Sequence, residues 1–107
     1  MVSINKKPFW ISSKYLSDNR GALNKFLDLK KIQKLKFKVI EAQISEYNKN
    51  VFRGFYAQVG KYKESKLIQI LEGSVIWFVI DIKKNKNFGK VSVYKLKKNK
   101  TLFVPKD

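Results

Sequence analysis

The sequence predicts an α+β fold in which one N-terminal helix is followed by an antiparallel five- to six-stranded sheet, either open or curled into a small, partly open barrel. Three observations predict it. Leu23, Phe26 and Leu27 recur at the i, i+3, i+4 spacing of one helical face. From Leu35 onward apolar residues alternate with polar ones, the period of a strand. Val75 to Ile82 is apolar at nearly every position, as a central strand covered on both faces requires.

Taken in order, Phe9-Trp10-Ile11 and Tyr15-Leu16 supply a short first strand, with Ser12 and Ser13 between them. Ser17 or Asp18 offers a side-chain oxygen to cap the helix, which spans residues 19 to 33 and tolerates Gly21 in its first turn. Leu35, Phe37 and Val39, alternating with Lys36 and Lys38, begin a strand that runs to residue 47. Its alternation changes face at Val39-Ile40, the mark of a bulge. A competing helix would use Ile32, Leu35, Val39 and Ala42; the strand is preferred. Asn48-Lys49-Asn50 is the hairpin turn, because Asn tolerates the left-handed backbone that tight connections need. The partner strand covers 51 to 62, with Phe52, Tyr56 and Tyr62 on its more polar face.

Leu67 to Leu71 forms another short strand or one helical turn, and Glu72-Gly73 breaks it before the strand from Val75. Lys83 to Gly89 is a turn, Lys90 to Leu96 a strand and Lys97 to Lys100 a basic turn. Leu102 to Val104 is an edge strand stopped by Pro105. The alternative is a ferredoxin-like βαββαβ order, with Phe9 to Leu16 as first strand and Glu64 to Leu71 as second helix.

Charge governs the functional reading. Lys and Arg number 24 against eight Asp and Glu, a formal net charge of +16 on 107 residues. With 44% hydrophobic residues the chain still supports a core, so residues 1–107 are read as a single domain. A/T-rich coding accounts for Lys outnumbering Arg, since only Arg20 and Arg53 are Arg, but not for the scarcity of acids. So lopsided a balance calls for a polyanionic partner.

His and Cys are both absent, which removes the usual zinc constellations, Ser-His and Cys-His nucleophile pairs, and disulfides. No cofactor or metal is expected. The lack of Cys suits a reducing compartment, and Met1 to Pro8 has no apolar stretch resembling a secretion signal, so a cytoplasmic location is expected. Val75 to Ile80, the longest apolar run, falls well short of the roughly 18 residues that cross a bilayer, and no membrane partner is expected.

These observations together predict a non-enzymatic nucleic-acid-binding protein, for DNA or RNA, with single strands favoured. Lys34, Lys36, Lys38, Lys61 and Lys63 would meet at paired strand ends and grip phosphates. Lys83, Lys84, Lys86, Lys90, Lys95, Lys97 and Lys98 would extend the track, while Tyr56 and Tyr62 stack on bases. Arg53 joins them because Arg53-Gly54-Phe55 resembles the opening of the RNP1 signature of RNA-recognition motifs. Tyr56 and Ala57 depart from that signature.

The alternatives are a basic inhibitor or regulator that docks on an acidic protein, a homodimer formed over the second face of the central strand, and a metal-free RNase. Small ribosome-dependent RNase toxins are similar in size, basicity and helix-then-sheet order, but two Arg are a poor supply for a phosphorane-like charge. Asp81 is the one acid inside the apolar strand, and an ion pair with a Lys at the strand end is its expected role.

Overall fold

Asp18 decides how the chain begins. In the structure, a computed structural model that describes residues 7–12, 14–35, 38–57, 60–84 and 86–106, its carboxylate accepts the Arg20 N–H at 2.8 Å and the Arg20 guanidinium at 2.8 Å. These bonds close a two-residue turn through Asn19 and Arg20, and Gly21 continues it at φ 142°, where a side chain would be strained. The turn joins β2 (Lys14–Asp18) to β3 (Gly21–Lys25) as an antiparallel hairpin, following a short β1 (Phe9–Ile11). Leu16 faces Leu23 across it, so Leu23 belongs to a period of two. The N-terminal helix expected over 19–33 is therefore replaced by a hairpin. Helix begins only at Asp28, whose carboxylate accepts the Lys30 N–H at 3.0 Å, and α1 (Leu29–Gln33) runs for five residues.

The Arg20 guanidinium, and after it the Arg20 backbone N–H, hold the Asp18 carboxyl below the ordinary aspartate range. A lowered folded value means the contribution is fully present above the unfolded-state pKa and is lost as pH falls through the folded one. Protection of the Arg20 amide, its exchange rate compared with that of an unstructured peptide at the same pH, should therefore be present near neutral pH and be lost once the solution becomes more acidic than the usual carboxylate range. Unchanged protection in strong acid would contradict this. The pair is exposed, so global stability should scarcely follow.

Among the described residues, no strand forms within 38–57, although a hairpin over 35–47 and 51–62 is expected there. The anticipated turn exists, with Asn50 in the left-handed region at φ 62°. What is missing is a surface to pair on. Ile40, Ile44, Phe52 and Tyr56 all remain exposed, and the contacts are local: Phe52 meets Phe55 edge to face at 5.7 Å, and the Arg53 guanidinium lies 4.1 Å over the Tyr47 ring. A 3-10 turn, Gly60–Tyr62, ends the segment.

Four strands follow: β4 (Lys66–Gln69), β5 (Ser74–Ile80), β6 (Val91–Lys97) and β7 (Thr101–Val104). Strands are expected at each of these four places, but not in this sheet order. β7, expected at an edge, lies at the centre of a three-stranded antiparallel sheet ordered β1-β7-β4. Leu102 and Phe103, successive and hence on opposite faces, are 0% and 1% exposed, so both sides of that centre are covered. β5, expected to be central, pairs only with β6 in a two-stranded sheet. Trp10 of β1 meets Tyr94 of β6 at 5.9 Å, and the neighbouring Leu96 is fully buried, so one face of the β5–β6 hairpin packs toward the three-stranded sheet.

The fold is thus mainly antiparallel β, with seven strands in three small sheets among the described residues. It forms neither one continuous sheet, nor a barrel, nor a ferredoxin-like arrangement. The chain exposes 9462 Å², about half again the roughly 6,200 Å² of a compact monomer of 12.6 kDa. Wide apolar surface is therefore left open. Among the described residues, no helix is long and apolar enough to cross a membrane.

Candidate active site

β5 ends at Ile80, and the chain turns at Asp81 because its polar groups are satisfied locally. The Asp81 N–H donates to the Lys90 carbonyl at 2.9 Å, and the Gly89 N–H donates to the Asp81 carbonyl at 2.7 Å. The Lys90 N–H donates to the Asn87 carbonyl at 3.0 Å. Gly89 sits at φ 84°, a conformation that favours glycine, which lets the return strand start directly opposite. Asp81 Oδ1 accepts the Lys83 N–H at 2.9 Å, an Asx turn that fixes the orientation of the carboxylate.

Asp81 is one of the residues lining a cavity of about 90 Å³. Pro8, Val79, Ile80 and Pro105 supply apolar wall, and Lys7, Asp81, Asn87, Lys90 and Ser92 supply polar groups. Both ends of the chain contribute, since Pro8 precedes β1 and Pro105 follows β7. A space this small admits one reacting fragment, such as a carbonyl and its neighbouring carbon. A drug-sized ligand needs roughly 300 Å³ or more, so the rest of a larger substrate would lie outside.

By residue type, the lining includes one carboxylate, two lysines and one asparagine. A carboxylate can take a proton from carbon when an ammonium stands ready to stabilise the charge that moves onto an adjacent carbonyl oxygen. Among the described residues, no three His, Cys, Asp or Glu side chains converge as a metal-ligand set.

The sequence-predicted binding residues are scattered by comparison. Lys34 caps the C-terminus of α1, Lys36 lies outside the described residues, and Lys38 is exposed in the irregular stretch. Arg53 is held over Tyr47 and donates to the Glu46 carbonyl at 3.5 Å, while Tyr56 is among the most exposed residues. Lys61 and Tyr62 belong to the 3-10 turn, with Lys63 just beyond it. The expected meeting of Lys34 and Lys36 with Lys61 and Lys63 depended on a strand pair that does not form.

Lys83, Lys84, Lys86 and Lys90 all belong to the β5–β6 connection, but only Lys90 lines the cavity. Lys95 and Lys97 lie on β6 and Lys98 in the following turn. The sequence assigns Asp81 an ion pair with a Lys at the strand end and gives no site role to Asp81, Lys7, Asn87 or Ser92. Their signal was weak, since only tertiary closure brings Lys7 to Asp81.

The fold is that of a small antiparallel β protein with a small cavity at a strand end, lined in part by Asp81, Lys7 and Lys90. The family model for dTDP-4-dehydrorhamnose 3,5-epimerase matches residues 5–107, and the chain belongs to that family. No curated protein and no solved structure matches it.

Membership in an enzyme family overturns the non-enzymatic reading. Because the match spans nearly the whole chain, it displaces nucleic acid, DNA or RNA, as the partner, along with the acidic-protein and RNase alternatives. The cationic excess is real, but charge alone does not distinguish a nucleic-acid phosphate from any other anion.

Proposed function

We propose that this protein binds a dTDP-linked sugar bearing a ketone at C4 and moves protons at the carbons beside that ketone, with Asp81 as the base. The reading is carried by the Asp81 carboxylate, held by one oxygen at a cavity that also presents Lys7 and Lys90, in a chain of this family. A hydrogen on C3 or C5 is acidic because its bonding electrons can move onto the C4 carbonyl oxygen as the C–H bond breaks. Asp81 takes the proton, and an ammonium stabilises the enolate oxygen. Returning a proton to the opposite face of the carbon completes the epimerisation. The chain holds no His, so that proton comes from an ammonium or from water.

The cationic surface suits the substrate's diphosphate, which must lie outside so small a cavity. The absence of Cys suits a reducing compartment, and the reaction is placed in the cytoplasm. The test is incubation with dTDP-4-dehydrorhamnose in D2O, followed by NMR of the sugar. Deuterium should enter at C3 and C5 faster than in a protein-free control. Wash-in no faster than that control would refute the proposal.

A further inference from the structure

The reacting end of the substrate fixes where its phosphates must be. In a nucleotide-linked pyranose the diphosphate hangs from C1, directly across the ring from C4. With C4 at a cavity that admits only the reacting fragment, the first phosphate emerges at the mouth, one ring and one ester oxygen away from C4. Lys7 and Lys90 belong to the cavity wall, where the enolate oxygen claims an ammonium. Two phosphates arriving outside need further cations.

Most lysines of this half stand elsewhere. Ser92 is on the cavity wall, and Lys97 lies about 17 Å further along β6. Lys95 and Lys97 are also an odd number of positions from Ser92, which puts them on the opposite face of the hairpin. Lys106 follows the wall residue Pro105, but its N–H donates to Ser65 Oγ at 3.1 Å, which draws the chain toward β4.

The connection between β5 and β6 is placed differently. Its two ends supply Asp81, Asn87 and Lys90 to the wall, and between them it carries exposed Lys84 and Lys86. Its course is tied to the base. The Lys83 N–H donates to Asp81 Oδ1 at 2.9 Å, and the Gly89 N–H closes the loop on the Asp81 carbonyl at 2.7 Å. Lys84 is therefore the residue that directly follows the Asx turn on the carboxylate.

We infer that Lys84 and Lys86 form the diphosphate subsite, drawing the phosphates to the tip of the β5–β6 connection and so turning C4 toward Asp81. The inference rests on the reaction assigned to that carboxylate. It uses the connection and not the apolar sheet face of the hairpin, so it holds equally with a second copy of the chain packed on that face.

Calorimetric titration of the full chain with dTDP, alongside deuterium wash-in kinetics with dTDP-4-dehydrorhamnose, tests it. Lys84→Ser combined with Lys86→Ser should weaken dTDP binding about tenfold and raise KM by a similar factor. The kcat should hardly change, because the diphosphate keeps its charge through the reaction and the lost contacts serve ground and transition state alike. Both lysines are exposed, so circular dichroism should match wild type. Lys95→Ser combined with Lys97→Ser removes the same charge from the opposite face and should leave affinity within about twofold.

Equal losses in that control would overturn the subsite and leave only the general field of a chain of net charge +16. So would dTDP affinity and KM that the Lys84 and Lys86 substitutions leave at wild-type values, or a wild type that does not bind dTDP. Failure of the reaction reads differently: dTDP binding that depends on Lys84 and Lys86, without wash-in above the protein-free control, keeps the subsite and removes Asp81 as the base.

Discussion

Asp81→Asn is expected to slow deuterium wash-in at C3 and C5 of the sugar by about 10²–10⁴-fold, the usual contribution of a positioned general base, while leaving the fold intact. The substitution is informative because Asn keeps a side-chain oxygen that can accept the Lys83 N–H, so the turn at the end of β5 is preserved. What it removes is the capacity to hold a proton taken from carbon. Asp81→Ala removes both the turn bond and the base, and should additionally lower stability by about 0.5–1.5 kcal/mol, the net worth of one hydrogen bond. Activity equal to wild type in the Asn variant would move the base elsewhere. Loss of activity in Ala but not in Asn would make Asp81 a structural residue only.

The proposed proton transfer also accounts for why residue types alone point away from an enzyme. The non-enzymatic expectation rests on the absence of His and Cys, a criterion suited to zinc-dependent and nucleophilic catalysis. Proton transfer beside a ketone makes smaller demands. One oriented carboxylate and a cation suffice, and neither leaves a spacing motif in the sequence. Asp81 was visible as the lone acid in an apolar run, but Lys7 lies 74 positions before it in the chain. Pro8 and Pro105 close the same cavity from the two ends of the chain, and residue periodicity cannot report such closure.

Local periodicity served the second half of the chain well and the first half poorly. The apolar run over Val75 to Ile82 and the strand pattern over Lys90 to Leu96 place β5 and β6 within a residue or two at each end. Near the N-terminus, Asp18 can cap a helix or close a turn, and Leu23, Phe26 and Leu27 satisfy a helical spacing by coincidence. The turn wins because Asn19, Arg20 and Gly21 complete it, with Gly21 free to take a positive φ and Arg20 bonded to the carboxylate. Centrality was hidden for another reason. Leu102 to Val104 is short and precedes a proline, both marks of an edge, yet β7 takes partners on either side from β1 and β4, far away in sequence.

That central position makes Phe103→Ala the most damaging core substitution to expect, at about 3–5 kcal/mol. Phe103 is 1% exposed, lies 5.1 Å from the Phe9 ring, and occupies the strand that joins β1 to β4. Truncating it leaves a cavity where two strand pairings meet. Little else compensates, because only Ile32, Leu96, Leu102 and Phe103 are buried apolar residues among those described. Small domains hold about 5–15 kcal/mol in total, so the loss takes between about a fifth and nearly all of the stability. Urea titration followed by tryptophan fluorescence should show a large fall in midpoint, with Phe88→Ala, at an exposed position, shifting stability by no more than about 0.5 kcal/mol. A loss below about 1 kcal/mol for Phe103→Ala would mean that the site collapses readily around the missing ring, and that β7 is not the strand on which the fold depends.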